Sequence, residues 1–84
     1  MTADRQTGEG QPFAREMTVA RVRERIGVAW ADVAFLESAQ VFRLSKRHTH
    51  YHALLAKLRD AQVARGRVRV ILASATSDVI EDIG

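Results

Sequence analysis

The chain predicts a small α+β domain, an antiparallel sheet packed on one main helix with elements in the order α-β-β-α-β-(β). Three observations carry that expectation. An apolar stripe of helical period runs from about Thr49 to Ala64, and β-forming stretches flank it on both sides. The aromatics are few (Phe13, Trp30, Phe35, Phe42, Tyr51), which leaves the core to Val, Leu, Ile and Ala. At 84 residues, 46% hydrophobic and 27% charged, the chain has room for one ordinary globular domain. A multidomain enzyme, a collagen-like fibre and a wholly disordered chain are excluded.

Residues 1–14 are polar, hold Gly8, Gly10 and Pro12, and show no hydrophobic period, so they read as a disordered leader to a domain over 15–84. The first periodic segment is 17–27. Val19, Val22 and Ile26 fall on one helical face, with Thr18 placed to cap and Gly27 to terminate, and a short amphipathic helix is expected.

Val28 to Leu36 and Gln40 to Leu44 are rich in β-formers and read as a hairpin. A two-residue turn at Ser38-Ala39 pairs Phe35 with Phe42 and Val33 with Leu44, all on one face. The other face then holds Trp30, Ala34, Leu36 and Val41 among Asp32, Arg43 and Ser45. That face is half apolar, more than a solvated sheet face needs. It reads as an interface.

Helical period returns with Tyr51, Leu54, Leu55, Leu58 and Ala61, and Gly66 ends the helix. Val68, Val70 and Leu72 alternate inward along a following strand, and 78–83 reads as a short last strand with Ile80 buried. The reading counts two helices and three or four strands, without internal repeats. The run Phe42, Leu44, Tyr51, Leu54, Leu55, Leu58, Ala61, Gly66, Val68 and Val70 resembles small bacterial OB-like barrels, in which a Tyr-x-x-Leu-Leu-x-x-Leu-x-x-Ala helix precedes a Gly-x-Val-x-Val strand. The resemblance covers residues 41–83 and is a packing pattern. It implies an OB-like open barrel as a form of the sheet, and it transfers no binding residue.

The net charge of +3 comes from eleven Arg and two Lys against ten acidic residues, distributed in blocks. Residues 41–47 carry +3 and 57–69 carry +4, while 78–84 carry −3. Arg43, Arg47, Arg65, Arg67 and Arg69 form a candidate polyanion-binding set, since guanidinium groups bind phosphate in a bidentate manner. The competing reading pairs these arginines with Asp32, Glu37, Asp78, Glu81 and Asp82, within the monomer or across an interface. His48, His50 and His52 stand at alternate positions, as metal ligands would, but no His-Glu-x-x-His motif or further ligand accompanies them. No nucleophile elbow, phosphate loop or dinucleotide fingerprint is present, so no enzymatic activity and no cofactor are expected.

With no cysteine, disulfides and thiolate sites are ruled out, and a cytoplasmic setting is favoured. No apolar run suits a signal peptide or a membrane span. The expected function is a small non-enzymatic interaction module that forms a homo-oligomer, a dimer by default, or engages another protein. A nucleic-acid-binding accessory role is the alternative, and a histidine-based metal protein the distant third.

Overall fold

The computed structural model describes residues 13–84. The leader expected over 1–14 lies outside the described residues apart from Phe13 and Ala14, which open the first strand. Five strands and one helix follow in order: β1 (Phe13–Glu24), β2 (Trp30–Phe35), β3 (Val41–Ser45), α1 (Tyr51–Ala64), β4 (Arg67–Leu72) and β5 (Ile80–Ile83). They form one antiparallel sheet of order β3-β2-β1-β4-β5 with the helix packed on it, an α+β domain.

The first element corrects the expected order. Residues 17–24 belong to β1 and are not helical; Thr18 is mid-strand, and Gly27, at φ 81°, serves the β1–β2 turn. The cause is a β-bulge between Val19 and Arg21. A bulge adds one residue to the strand, so the inward positions Val19 and Val22 are three apart and imitate a helical stripe. Ile26, the supposed third member of that stripe, is fully exposed in the turn.

The bulge has an architectural role as well. It lets one long strand serve two partners, with Phe13–Thr18 paired to β4 and Val19–Glu24 paired to β2. The sheet curls about this strand until its edges meet at one point. There Arg43 and Val79 form a parallel bridge, and the Arg43 N–H donates to the Asp78 carbonyl at 2.8 Å. The curl stops short of a closed barrel.

The β2–β3 hairpin keeps its predicted faces but not its predicted register. Val33 pairs with Phe42 and Ala31 with Leu44, two residues from the expected alignment. A shift of two preserves which side each residue faces. The two-residue turn fails because Ser38-Ala39 cannot supply the positive φ of a primed turn. Leu36–Gln40 form a longer loop instead, in which Ser38 Oγ accepts the Gln40 N–H at 3.1 Å.

The core is aliphatic with an aromatic pair. Met17, Val33, Phe42, Leu44, Leu58, Val70, Leu72, Ile80 and Ile83 are buried almost completely, and Phe35 meets Phe42 edge-on at 5.5 Å. Helix α1 covers this layer with Tyr51, Leu54, Leu55 and Leu58, the expected stripe. Strand β4 turns Val68, Val70 and Leu72 inward, and β5 adds Ile80 and Ile83. No described helix is long and apolar enough to cross a membrane.

Helix α1 ends one residue before the expected glycine. Arg65, at φ 56° and ψ 40°, takes the left-handed position, while the Gly66 N–H donates to Ala61 O and the Arg65 N–H to Gln62 O. This is a Schellman closure with arginine where glycine is the unstrained choice. Arg65→Gly is therefore expected to raise stability by about 0.5–1 kcal/mol, as the relieved strain exceeds the added unfolded-state entropy. Urea unfolding with matched slopes measures it; an unchanged or lower midpoint contradicts the strain argument.

Candidate functional site

The outer face of β1, β2 and β3 gathers most of the chemistry. Cross-strand pairs set its rows: Arg21–Ala34–Val41, Arg23–Asp32–Arg43, and Trp30–Ser45. The predicted interface residues Trp30, Ala34, Leu36 and Val41 all project from this side of the hairpin, with Leu36 71% and Val41 51% exposed. Between and beside them stand four arginines. Arg21, Arg23 and Arg25 are not among the candidate residues of the sequence, because a helix over 17–27 separates them from the hairpin; as part of a strand, Arg21 and Arg23 align on one side beside it.

Specific contacts order this face. The Arg43 guanidinium lies over the Trp30 ring at 4.5 Å, a cation–π contact, and Arg43 Nε is 3.8 Å from Asp78. Arg25 Nη2 donates to Asp32 Oδ2 at 3.1 Å. Arg21, Arg23, Asp32, Ala34 and Val41 line a shallow depression of about 140 Å³. Neither Arg21 nor Arg23 forms an ion pair with a described residue.

The five arginines of the candidate polyanion set do not form one patch. Arg43 is on β3, while Arg67 and Arg69 are on the outer side of β4, with β2 and β1 between, where they pair with Thr18 and Glu16. Arg47 is exposed in the loop after β3. Arg65 lines a second depression of about 280 Å³ at the bulge, together with Thr18, Val19, Ala20, Leu36 and Gln62. Of the proposed acidic partners, Asp78 pairs with an arginine of the set, Arg43, whereas Asp32 pairs with Arg25 and Glu37 binds Thr18.

The histidines face separate tasks. His48 Nδ1 accepts the His50 N–H at 2.9 Å, which leaves the proton on Nε2 to donate to the Glu81 carbonyl at 2.7 Å. The ring thus ties the start of α1 to β5. His52 stacks edge-on with Tyr51, and no group of three His, Asp or Glu among the described residues is arranged to hold a metal.

Two carboxylates tie β1 to its neighbours, Glu24 to helix α1 and Glu37 from the loop after β2. Glu24, at the end of β1, accepts the Tyr51 hydroxyl at 2.8 Å and Arg59 at 3.4 Å. The Tyr51 hydrogen bond, helped by Arg59 and Lys46, holds Glu24 below the usual carboxylate range. Burial, with the Glu24 contact second, pushes Tyr51 up to about 12. Glu37 accepts both the backbone N–H and the hydroxyl of Thr18 at 2.7 Å, and those bonds lower it too.

These shifts set a pH profile. The depressed Glu24 and Glu37 contribute stability that is present above the ordinary value of 4.5 and lost as pH falls through their folded values. The raised Tyr51 contributes stability that is complete below pH 10.0 and lost as pH rises toward 12. Unfolding free energies should therefore fall on both limbs, and Tyr51→Phe should flatten the alkaline limb and also weaken the acid limb, because it removes the hydrogen bond that lowers Glu24. An acid limb identical in wild type and Tyr51→Phe counts against the Tyr51–Glu24 link.

Neither a family model, nor a curated protein, nor a solved structure matches this chain.

Proposed function

We propose that the chain is a small non-enzymatic binding module whose ligand is single-stranded nucleic acid, held on the outer face of β1–β3. The observation that carries this reading is the interleaving of Arg21, Arg23 and Arg43 with Trp30, Ala34 and Val41 on one sheet face. Guanidinium groups serve phosphates, and an indole with apolar neighbours serves base faces. A shallow, open surface accepts a strand more readily than it encloses a small substrate.

The arrangement also supports the OB-like reading. Strand order β3-β2-β1-β4-β5, a helix between β3 and β4 and a parallel contact between the edges make a partly open barrel, and OB-like barrels bind oligonucleotides on the β2–β3 face. The absence of cysteine favours the cytoplasm as its setting.

Self-association through the same face is the second reading, favoured by exposed Leu36 and Val41. A two-fold contact would bring the arginines of one copy toward those of the other, which costs the isologous dimer part of its apolar gain.

Trp30 is the only tryptophan, so its emission reports on the face directly. Titration with an eight-nucleotide oligo-dT at low salt is expected to change that emission saturably, with an affinity that weakens steeply as salt rises. No change at low salt, with a concentration-dependent mass in light scattering, would replace the nucleic-acid reading by self-association.

A further inference from the structure

The arginine face has one feature that phosphate binding alone does not require: an acid at its centre. Asp32 sits mid-strand in β2, flanked across the sheet by Arg23 on β1 and Arg43 on β3, and its carboxylate lines the depression floored by Ala34 and Val41. A carboxylate beside a phosphate track is repulsive. Its cost to polyanion binding calls for a compensating contact that only some ligands make.

Its free valences define that contact. Arg25 gives Oδ2 a single hydrogen bond, which leaves its second lone pair open, and no described donor reaches Oδ1. The side chain is 24% exposed, and it opens toward the depression. Ionised Asp is an acceptor only, so the partner must present N–H donors. Among the nucleobases, guanine offers two adjacent donors, N1–H and the N2 amino group, spaced to meet both oxygens of one carboxylate. Adenine and cytosine present a single amino group beside an acceptor, and the acceptor would face the carboxylate. Thymine and uracil present one N–H between two carbonyls.

We infer that Asp32 is a base-reading residue, and that the depression between Arg21, Arg23 and Val41 takes a guanine whose N1–H and N2–H donate to Oδ1 and Oδ2. This rests on the nucleic-acid reading of the same face. Arg21 and Arg23 hold the flanking phosphates, and the methyl groups of Ala34 and Val41 support the ring. The strand must be single, because pairing would consume the same base edge.

The test compares fluorescently labelled oligo-dT octamers carrying one central G, A, C or inosine, bound by the full chain at fixed salt. The G octamer is expected to bind about tenfold tighter than oligo-dT, with A and C near the oligo-dT value. Inosine keeps N1–H and lacks the amino group, so it should lose most of the gain. Asp32→Asn should erase the preference for G and leave oligo-dT bound as tightly or tighter, since the repulsive charge is gone.

Equal binding of all octamers overturns the inference while leaving the nucleic-acid reading intact. A preference for G that survives Asp32→Asn, or G and inosine binding alike, also overturns it. The inosine comparison stands on wild-type protein, so it decides the matter even if the variant misfolds. Failure of every octamer to bind removes both proposals together.

Discussion

Phe42→Ala is expected to remove a large share of the domain's stability. Phe42 is 1% exposed and contacts Phe35 edge-on at 5.5 Å, so the substitution removes a complete buried ring and an aromatic pair. Such a truncation costs about 3–5 kcal/mol. A domain of this size holds roughly 4–10 kcal/mol in total, so the loss takes about a third of that margin or more. Position makes it worse. Strand β3 is an edge strand, paired along its length only with β2, and its Arg43 bridges to Asp78 and Val79 just before β5. Without Phe42 the strand has little besides Leu44 to hold it to the core. Urea unfolding followed by Trp30 emission should show the midpoint collapse, and Phe42→Leu should retain most of the stability. A loss below about 1.5 kcal/mol for Phe42→Ala would show that β3 is not part of the cooperative unit.

The elements legible in the sequence were those whose pattern is uninterrupted. Tyr51, Leu54, Leu55 and Leu58 repeat at helical spacing with no local competitor, and Val68, Val70 and Leu72 alternate without a break; both appear as read. In β1 the bulge inserts Ala20 between two alternating runs, and a period of two becomes a local period of three. Only a partner strand reveals that insertion, because it is defined by the register with Phe35 and Ala34. The hairpin shows the opposite case. Its faces follow from alternation alone, so Trp30, Ala34, Leu36 and Val41 were placed on one side despite a register off by two.

The same logic explains how much of the candidate site could be read. The apolar half of the face lies on β2, β3 and the loop between them, and was visible. Its arginine half lies largely on β1, and was hidden with that strand. Alternation along β4 puts Arg67 and Arg69 opposite the inward Val68, Val70 and Leu72, yet their distance from Arg43 depends on strand order, which no local pattern encodes. The left-handed Arg65 is a further instance. Sequence preference puts the helix stop on Gly66, whereas the hydrogen bonds from Arg65 and Gly66 place it one residue earlier.

Strand order also supplies the sharpest test of function. Arg21→Ala, Arg23→Ala and Arg43→Ala together remove the cations of the β1–β3 face and lower the net charge from +3 to zero. Arg65→Ala, Arg67→Ala and Arg69→Ala make the same change in charge on the other side of β1. Any difference between the two triple variants therefore reports on location, because the net charge is equal. If single-stranded nucleic acid binds the β1–β3 face, the first variant should weaken oligo-dT binding by about 100-fold or more at low salt. Its salt dependence should flatten by about two, as roughly 0.7 of a counterion is released per phosphate contact on a single strand. The second variant should lose far less. Self-association predicts the opposite sign for the first variant. Removing like charges from a face that meets its own copy relieves repulsion around Leu36 and Val41, so the dimer should tighten. Binding assays and light scattering on the same two proteins thus separate the readings, and equal losses of oligo-dT binding in both would leave only a diffuse electrostatic attraction with no defined face.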